Sequence, residues 1–296
     1  MPNAKLLNYL HLHFIVFIWG FTAVLGALIS IDALDLVWFR MSIASLLILA
    51  WVGYKKIPLT FSKKTMLVFL LAGAIIAMHW LAFFGAIKTA NVSITLAIMS
   101  TGSFFTALLE PIFYKRKVIW YEVVFGLVVV LGLYVIFQVE GDYSWGIILA
   151  LISSFLGALF SVINGKLAVR YNASAISFYE LFFGVCCISL YLFFSGSFDA
   201  SFFILSISDW GYLFILASGC TAYAFIASVH VMKWISPYTV MLTINLEPVY
   251  GIVLALLILG ESENMGPQFY YGAAIIILTV VANGIIKNRI KKKLKN

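Results

Sequence analysis

Ionisable side chains inside long apolar stretches are the residues of this sequence whose chemistry needs an explanation. Glu247 and Pro248 interrupt the apolar stretch 237–259, and His79 lies within the apolar stretch 65–86. An ionisable group is costly in hydrocarbon, and within membrane segments such groups usually serve function. A proline frees a backbone carbonyl and bends the helix, and broken helices in membranes usually line a cavity. The sequence therefore predicts a polar cavity in a membrane protein.

Asn245 and Glu247 cannot both face such a cavity squarely if the stretch is helical. They are two residues apart, which is a rotation of about 200° around the helix. We expect one of them to face the cavity and the other to bridge neighbouring helices, and the sequence does not say which.

Polar and aromatic side chains in the other apolar stretches extend the candidate site. In 92–113, polar residues recur at spacings of three and four, which places them on one helix face. The predicted substrate-binding residues are Trp19, His79, Trp80, Thr101, Ser103, Asn164, Tyr223, Asn245 and Glu247, and the predicted hinges are Gly102 and Pro248. Small hydroxyl residues also let membrane helices pack closely, so packing is the alternative role for the serine and threonine positions.

The composition requires a membrane protein. Of the 296 residues, 64% are hydrophobic and 10% are charged, whereas a soluble domain carries about 25% charged residues. A helix of about 20 apolar residues crosses a bilayer. The sequence predicts an all-α integral membrane protein with ten transmembrane helices, which we call spans 1 to 10, near 9–29, 33–53, 65–86, 92–113, 119–137, 144–164, 174–194, 210–231, 237–259 and 267–286.

The distribution of charge predicts that both termini are cytoplasmic. With the N-terminus inside, all but two of the 19 lysine and arginine residues fall on the inner side, the exceptions being Arg40 and Lys88, as the positive-inside rule requires. Acidic residues collect in the outer loops, at Asp32, Asp35, Glu140, Asp142, Asp199, Asp209, Glu261 and Glu263. The basic C-terminal tail is typical of a cytoplasmic anchor, and we expect no nucleic-acid partner.

Arg40 and Glu180 are the other charged residues within spans, and we leave both outside the candidate site. Counted from the membrane edges, they differ in depth by roughly 10 Å, so a direct pair is not expected. We expect Arg40 to extend its guanidinium towards the outer surface.

The chain repeats itself at an interval of about 145 residues. This shift places Gly20 on Gly165 and Lys88 on Lys233. Each half, 1–142 and 143–296, then holds five spans, the second half followed by the basic tail. An odd number of spans makes the second half enter the membrane from the opposite side, so the sequence predicts an inverted repeat, an architecture of secondary transporters.

Several motifs resemble one family. Trp19-Gly20 in span 1, Ala86 with Asn91-Val92-Ser93, and Pro248 followed by Gly260-Glu261 are similar to the EamA family of the drug/metabolite transporter superfamily. The resemblance implies a multi-pass carrier of the bacterial inner (plasma) membrane, usually an exporter of amino acids or other small metabolites. It also implies a cavity lined by spans 1, 3, 4, 6, 8 and 9. The chain departs from many relatives at Gly102-Ser103, where they have the proline of span 4.

In such a carrier, a carboxyl group at 247 suits a proton-coupled transport cycle, and uniport is the simpler alternative. An exporter of drugs or organic cations would use Glu247 as the counter-charge of its substrate. A membrane-embedded enzyme is the remote alternative, because the sequence has no H-E-x-x-H zinc motif, G-x-S-x-G elbow or glycine-rich phosphate loop. We expect no metal and no cofactor. Spans 5 and 10 are apolar and suit a scaffold or a homodimer surface.

Overall fold

Helices form wherever the sequence has long apolar stretches. The computed structural model describes residues 2–115, 117, 120–139 and 143–293. Glu140 and Asp142, two of the predicted outer acids, lie outside the described residues, as does the end of the predicted first half at residue 142. The first three helices are α1 (Pro2–Leu28), α2 (Ala33–Tyr54) and α3 (Lys63–Thr89). The Ser62 hydroxyl accepts a hydrogen bond from the Thr65 N–H (3.2 Å), which caps the start of α3.

The fourth apolar stretch is broken into two helices, α4 (Val92–Met99) and α5 (Gly102–Tyr114). The Asn91 side chain caps α4 by accepting a hydrogen bond from the Ile94 N–H (2.8 Å). After Met99 the Thr101 N–H donates to the Ile98 carbonyl, a bond of 3.0 Å that spans three residues rather than four. The α-helix of span 4 is therefore interrupted just before Gly102, where the sequence has no proline.

The next helices are α6 (Trp120–Val139), α7 (Ser144–Leu167) and α8 (Ala173–Ser195). Two helices follow, α9 (Ile207–Ala217) and α10 (Ala224–Val231), and the π-helical segment Ser218–Tyr223 joins them. A π-helix holds an extra residue per turn and often marks a functional position in a helix.

The ninth apolar stretch is also broken in two, as α11 (Pro237–Ile244) and α12 (Glu247–Leu259). The predicted hinge residue Pro248 is the second residue of α12. A short 3₁₀ segment at Gly260–Glu263 leads to the last helix, α13 (Pro267–Lys293). In the described residues, the helices thus form ten stretches at the predicted positions of the ten spans.

Eight of these stretches are long and apolar enough to cross a membrane, namely Leu6–Leu28, Ala33–Tyr54, Lys63–Thr89, Val92–Tyr114, Ser144–Leu167, Ala173–Ser195, Ile207–Val231 and Pro237–Glu263. The other two are α6 and α13, which pack against each other. That these two also cross the membrane, and that both termini are cytoplasmic, stay predictions.

Spans 4 and 9 lie antiparallel and are joined at both ends by glutamates. At the start of α4, the Glu263 carboxylate accepts hydrogen bonds from the N–H groups of Val92 (3.0 Å) and Ser93 (2.8 Å). At the start of α11, the Glu110 carboxylate accepts one from the Tyr238 N–H (2.9 Å). Each carboxylate thus sits at the positive end of a helix dipole. The start of each span thus meets the end of the other, which is the arrangement expected of equivalent spans if the second half is inverted.

Candidate functional site

A cavity of about 110 Å³ lies among α1, α2, α3, α7, α10, α11 and α12, beside the end of α4. Its wall is mostly aromatic and aliphatic, with a few polar and ionisable groups: Trp19, Thr22, Arg40, Ile76, His79, Trp80, Phe83, Met99, Gly157, Phe160, Ser161, Phe225, Ser228, Met232, Met241, Ile244 and Glu247. A mainly apolar pocket in which a few polar groups converge is the usual form of a small-molecule site.

Arg40 forms part of this wall, and the prediction that it extends towards the outer surface is wrong. The side chain is 1% exposed. Its guanidinium carbon lies 4.0 Å from the centroid of the Trp80 ring, and its Nε donates a hydrogen bond to the Thr221 hydroxyl (2.6 Å). A cation over an aromatic face is attracted to the ring, the more so away from water. These partners on other helices hold the guanidinium inside the protein.

The π-helical segment positions the partner of Arg40. The Thr221 hydroxyl donates a hydrogen bond to the Leu216 carbonyl five residues earlier (2.7 Å), while it accepts the bond from Arg40. The bond joins residues five positions apart, which is the spacing of hydrogen-bonded residues in a π-helix. The irregular backbone of the eighth span thus fixes the arginine that faces the cavity.

The structure distinguishes the roles of Glu247 and Asn245. Glu247, the first residue of α12, lines the same cavity as Arg40. Asn245 is 2% exposed, and its Nδ2 donates a hydrogen bond to the Ser103 hydroxyl (3.1 Å). Glu247 therefore belongs to the cavity, and Asn245 joins span 9 to span 4.

His79, Trp80 and Trp19 are the other predicted site residues in the cavity wall. The His79 Nδ1–H donates to the Ser153 carbonyl (2.8 Å), and when the ring is neutral Nε2 is then an acceptor. The Trp19 indole N–H donates to the Cys220 carbonyl (3.1 Å). Each polar edge is thus held by a neighbouring helix.

The remaining predicted site residues lie outside the cavity. Thr101 and Ser103 are buried at the break in span 4, and Asn164 is buried beside Glu180. Tyr223 is 44% exposed, and its hydroxyl lies 2.9 Å from the His11 Nε2 in a separate hollow that also includes Trp51 and His230. The structure therefore does not bring Tyr223 to the other site residues. Tyr223 is the last residue of the π-helical segment and lies on the face turned away from the cavity.

Sequence reasoning assigned no cavity role to several residues of the wall. Thr22 follows Trp19 by one helical turn, a spacing that places both on one face. Two methionines, Met232 and Met241, also line the cavity. Their unbranched side chains adapt easily to a ligand, but an apolar residue in an apolar segment gives no signal of its own.

Comparisons with known proteins agree with this architecture. The EamA-like transporter family matches residues 8–138 and again residues 144–284. A crystal structure of a protein 15% identical in sequence has the same fold, with a TM-score of 0.69 over 94% of this chain and 97% of that one. No curated protein matches the sequence. The chain is a multi-pass membrane protein and belongs to the EamA-like transporter family.

Proposed function

We propose that the protein is a secondary transporter that exports small zwitterionic metabolites, in particular amino acids, across the bacterial inner membrane by alternating access. The observation that carries this proposal is the presence of a guanidinium and a carboxyl group, Arg40 and Glu247, in one aromatic cavity. An amino acid carries one charge of each sign, so it can satisfy both groups.

Arg40 is well prepared to bind a carboxylate. Its Nε is bonded to Thr221, whereas its buried Nη1 has no hydrogen-bond partner within the described part of the chain. Arginine binds carboxylates through directed, charge-assisted hydrogen bonds, and a guanidinium already fixed over Trp80 loses little freedom on binding. Glu247 would then face the substrate ammonium group, and the aromatic wall suits an apolar or aromatic side chain.

Substrate entry requires the wall to move. A cavity of about 110 Å³ is smaller than an engineered cavity of about 150 Å³ that admits benzene, and most amino acids are larger than benzene. The breaks before Gly102 and Pro248 would let the halves of spans 4 and 9 tilt, opening the cavity to one side at a time.

Two further features would complete such a transporter. Glu247 could exchange a proton in each cycle, and the outer faces of α6 and α13 could form a homodimer.

Export of organic cations is the second candidate function. Glu247 within an aromatic cavity favours it, because a carboxylate and aromatic faces both attract cations. Arg40 opposes it, because the guanidinium repels a cation in the same small cavity. The two functions therefore make opposite predictions for the removal of Arg40.

Transport into proteoliposomes tests both functions. The labelled panel would hold amino acids, an organic cation and a nucleoside, with wild type beside Arg40→Gln and Glu247→Gln. Arg289→Gln and Glu261→Gln are matched controls, since both side chains are exposed and outside the cavity. We expect saturable amino-acid flux that both cavity variants lose and both controls keep.

Two other results would contradict the proposal. Cation flux that persists or rises in Arg40→Gln and disappears in Glu247→Gln would assign the protein to the second function. If thermal unfolding shows that the wild-type protein is folded and it still transports no compound of the panel, amino-acid transport would be overturned.

A further inference from the structure

A cluster of polar side chains lies between α7 and α8, on residues that the arginine–glutamate cavity does not explain. The Asn164 Nδ2 donates a hydrogen bond to the Glu180 Oε1 (3.0 Å). Both side chains are 0% exposed. Glu180 is thus a carboxyl group buried within a membrane-spanning helix, with one amide as its partner.

Four oxygen atoms of this cluster have no hydrogen-bond partner in the described residues. They are Glu180 Oε2, Asn164 Oδ1, Ser161 Oγ and Ser177 Oγ. Ser161 and Asn164 are three residues apart on α7, and Ser177 and Glu180 are three apart on α8, so each pair shares a helix face. The bond between Asn164 and Glu180 brings the two pairs together.

Neither a bare carboxylate nor a proton accounts for the four oxygens. A buried carboxylate with a single hydrogen bond and no cation is strongly destabilising. Arg40, the arginine within the neighbouring spans, is held by Trp80 and Thr221 instead. A proton on Glu180 would form one hydrogen bond, which satisfies one further acceptor and leaves at least two oxygens unpartnered.

A monovalent cation bound between α7 and α8 would give all four oxygens a partner. Carboxylate, amide and hydroxyl oxygens are hard ligands that suit alkali and alkaline-earth cations. One carboxylate balances a single positive charge, so a bound Na⁺ leaves the buried cluster neutral. We propose that Ser161, Asn164, Ser177 and Glu180 form a binding site for Na⁺.

The site lies next to the substrate cavity. Ser161 belongs to both, since its side chain also lines the cavity wall. An ion held by Ser161 would fix that part of the wall and so favour one arrangement of α7 and α8. Coupling of Na⁺ to substrate movement rests on the proposed transport function, whereas Na⁺ binding itself does not.

Thermal unfolding of the purified full chain in lipid nanodiscs tests the binding. The probe is NaCl, compared with choline chloride at equal ionic strength. A ligand that binds the folded state raises its stability with concentration, so we expect a saturable rise in the unfolding midpoint of wild type in NaCl. Glu180→Gln keeps the shape but removes the charge, and we expect it to require at least tenfold more Na⁺ for the same shift.

Two further variants supply a second test of the site and a control. Asn164→Ala should weaken the Na⁺ response even if Glu180→Gln proves unstable. Asp199→Asn removes an exposed carboxylate of the loop before α9 and should leave the response unchanged. A wild type that responds equally to both salts, or an undiminished response in Glu180→Gln and Asn164→Ala, would overturn the site.

Substrate binding separates this proposal from the transport function. Amino-acid binding to the cavity, measured in choline chloride, depends on Arg40 and Glu247 and would persist if the Na⁺ site did not exist. A midpoint that responds to pH but not to Na⁺, and only when Glu180 is present, would assign a proton to the cluster and overturn Na⁺ binding.

Discussion

The two broken spans reach the same backbone geometry by different chemistry. In span 4 the Thr101 N–H bonds to the Ile98 carbonyl, and in span 9 the Leu246 N–H bonds to the Thr243 carbonyl, each at 3.0 Å and each three residues back. These positions are 145 residues apart, the interval of the repeat. The break is therefore a property of the fold that the two halves share.

The causes of the two breaks differ. In span 4 the hydroxyls of Ser100 and Thr101 donate to the carbonyls of Ala97 (2.6 Å) and Ile98 (2.8 Å), replacing helical hydrogen bonds with local ones. In span 9 Pro248 has no N–H for the Ile244 carbonyl. Only the second break carries an ionisable side chain, Glu247, so the halves share a backbone break but not its chemistry.

The largest expected effect on transport comes from substituting Glu247, the ionisable residue at the break in span 9. Glu247→Gln should lower amino-acid flux at least about tenfold, since hydrogen bonds to charged groups contribute about 1.5–3 kcal/mol. Ser103→Ala, at the corresponding depth of span 4, should keep most of the flux. Proteoliposome uptake compares the two variants. Equal losses would mean that both breaks contact substrate.

The glutamates at the ends of the two spans should make equivalent contributions to the stability of the protein. Glu263→Ala leaves the buried N–H groups of Val92 and Ser93 without their charged acceptor and should cost about 3 kcal/mol. Glu110→Ala should also destabilise, through the N–H of Tyr238. Glu261→Ala, at an exposed neighbouring position, is the control. Denaturant unfolding in micelles measures all three, and a neutral Glu263→Ala would contradict the capping role.

Glycines on the two spans should respond differently to an added methyl group. In Gly251→Ala the new Cβ would lie 2.2 Å from the Leu96 Cδ1 and 3.3 Å from the Gly20 carbonyl oxygen, so the buried Leu96 side chain must move and the backbones of α1 and α12 must shift slightly. Overpacking of this kind costs about 1–3 kcal/mol. In Gly102→Ala it would meet the flexible end of Met241 at 2.7 Å, which can move aside. Thermal unfolding should show the larger loss for Gly251→Ala, and the reverse order would contradict the packing described here.

The smallest effect concerns the hydrogen bond that joins the two breaks. A double-mutant cycle of Ser103→Ala and Asn245→Ala should give a coupling energy of about 0.6 kcal/mol, the average for such bonds in membrane proteins. Unfolding free energies of the two single variants and the double variant supply it. Strict additivity would show that the bond does not stabilise the folded state.

Local patterns predicted much of the fold, and contacts between distant residues account for what was missed. Apolar stretches of about 20 residues located the helices, and Pro248 located the break in span 9. Gly102 was likewise predicted as a hinge and lies at the break in span 4. The cause of that break, the hydroxyls of Ser100 and Thr101, could not be predicted, because hydroxyl residues also occur in unbroken helices. Arg40 was misplaced because Trp80 and Thr221, which hold it, come from α3 and the π-helical segment. Tyr223 was assigned to the cavity, but the same segment turns it to the opposite face.

The π-helical segment also makes the length of the eighth span matter. One residue more or less turns the following part of a helix by about 100°. Deleting a residue within Ser218–Tyr223 would restore regular α-helix, but α9 and α10 could then no longer both keep their present faces. Thr221 would leave Arg40, or Phe225 and Ser228 would leave the cavity wall. In this span a change of length is therefore more damaging than most changes of side chain, and substitutions are better tolerated than insertions or deletions.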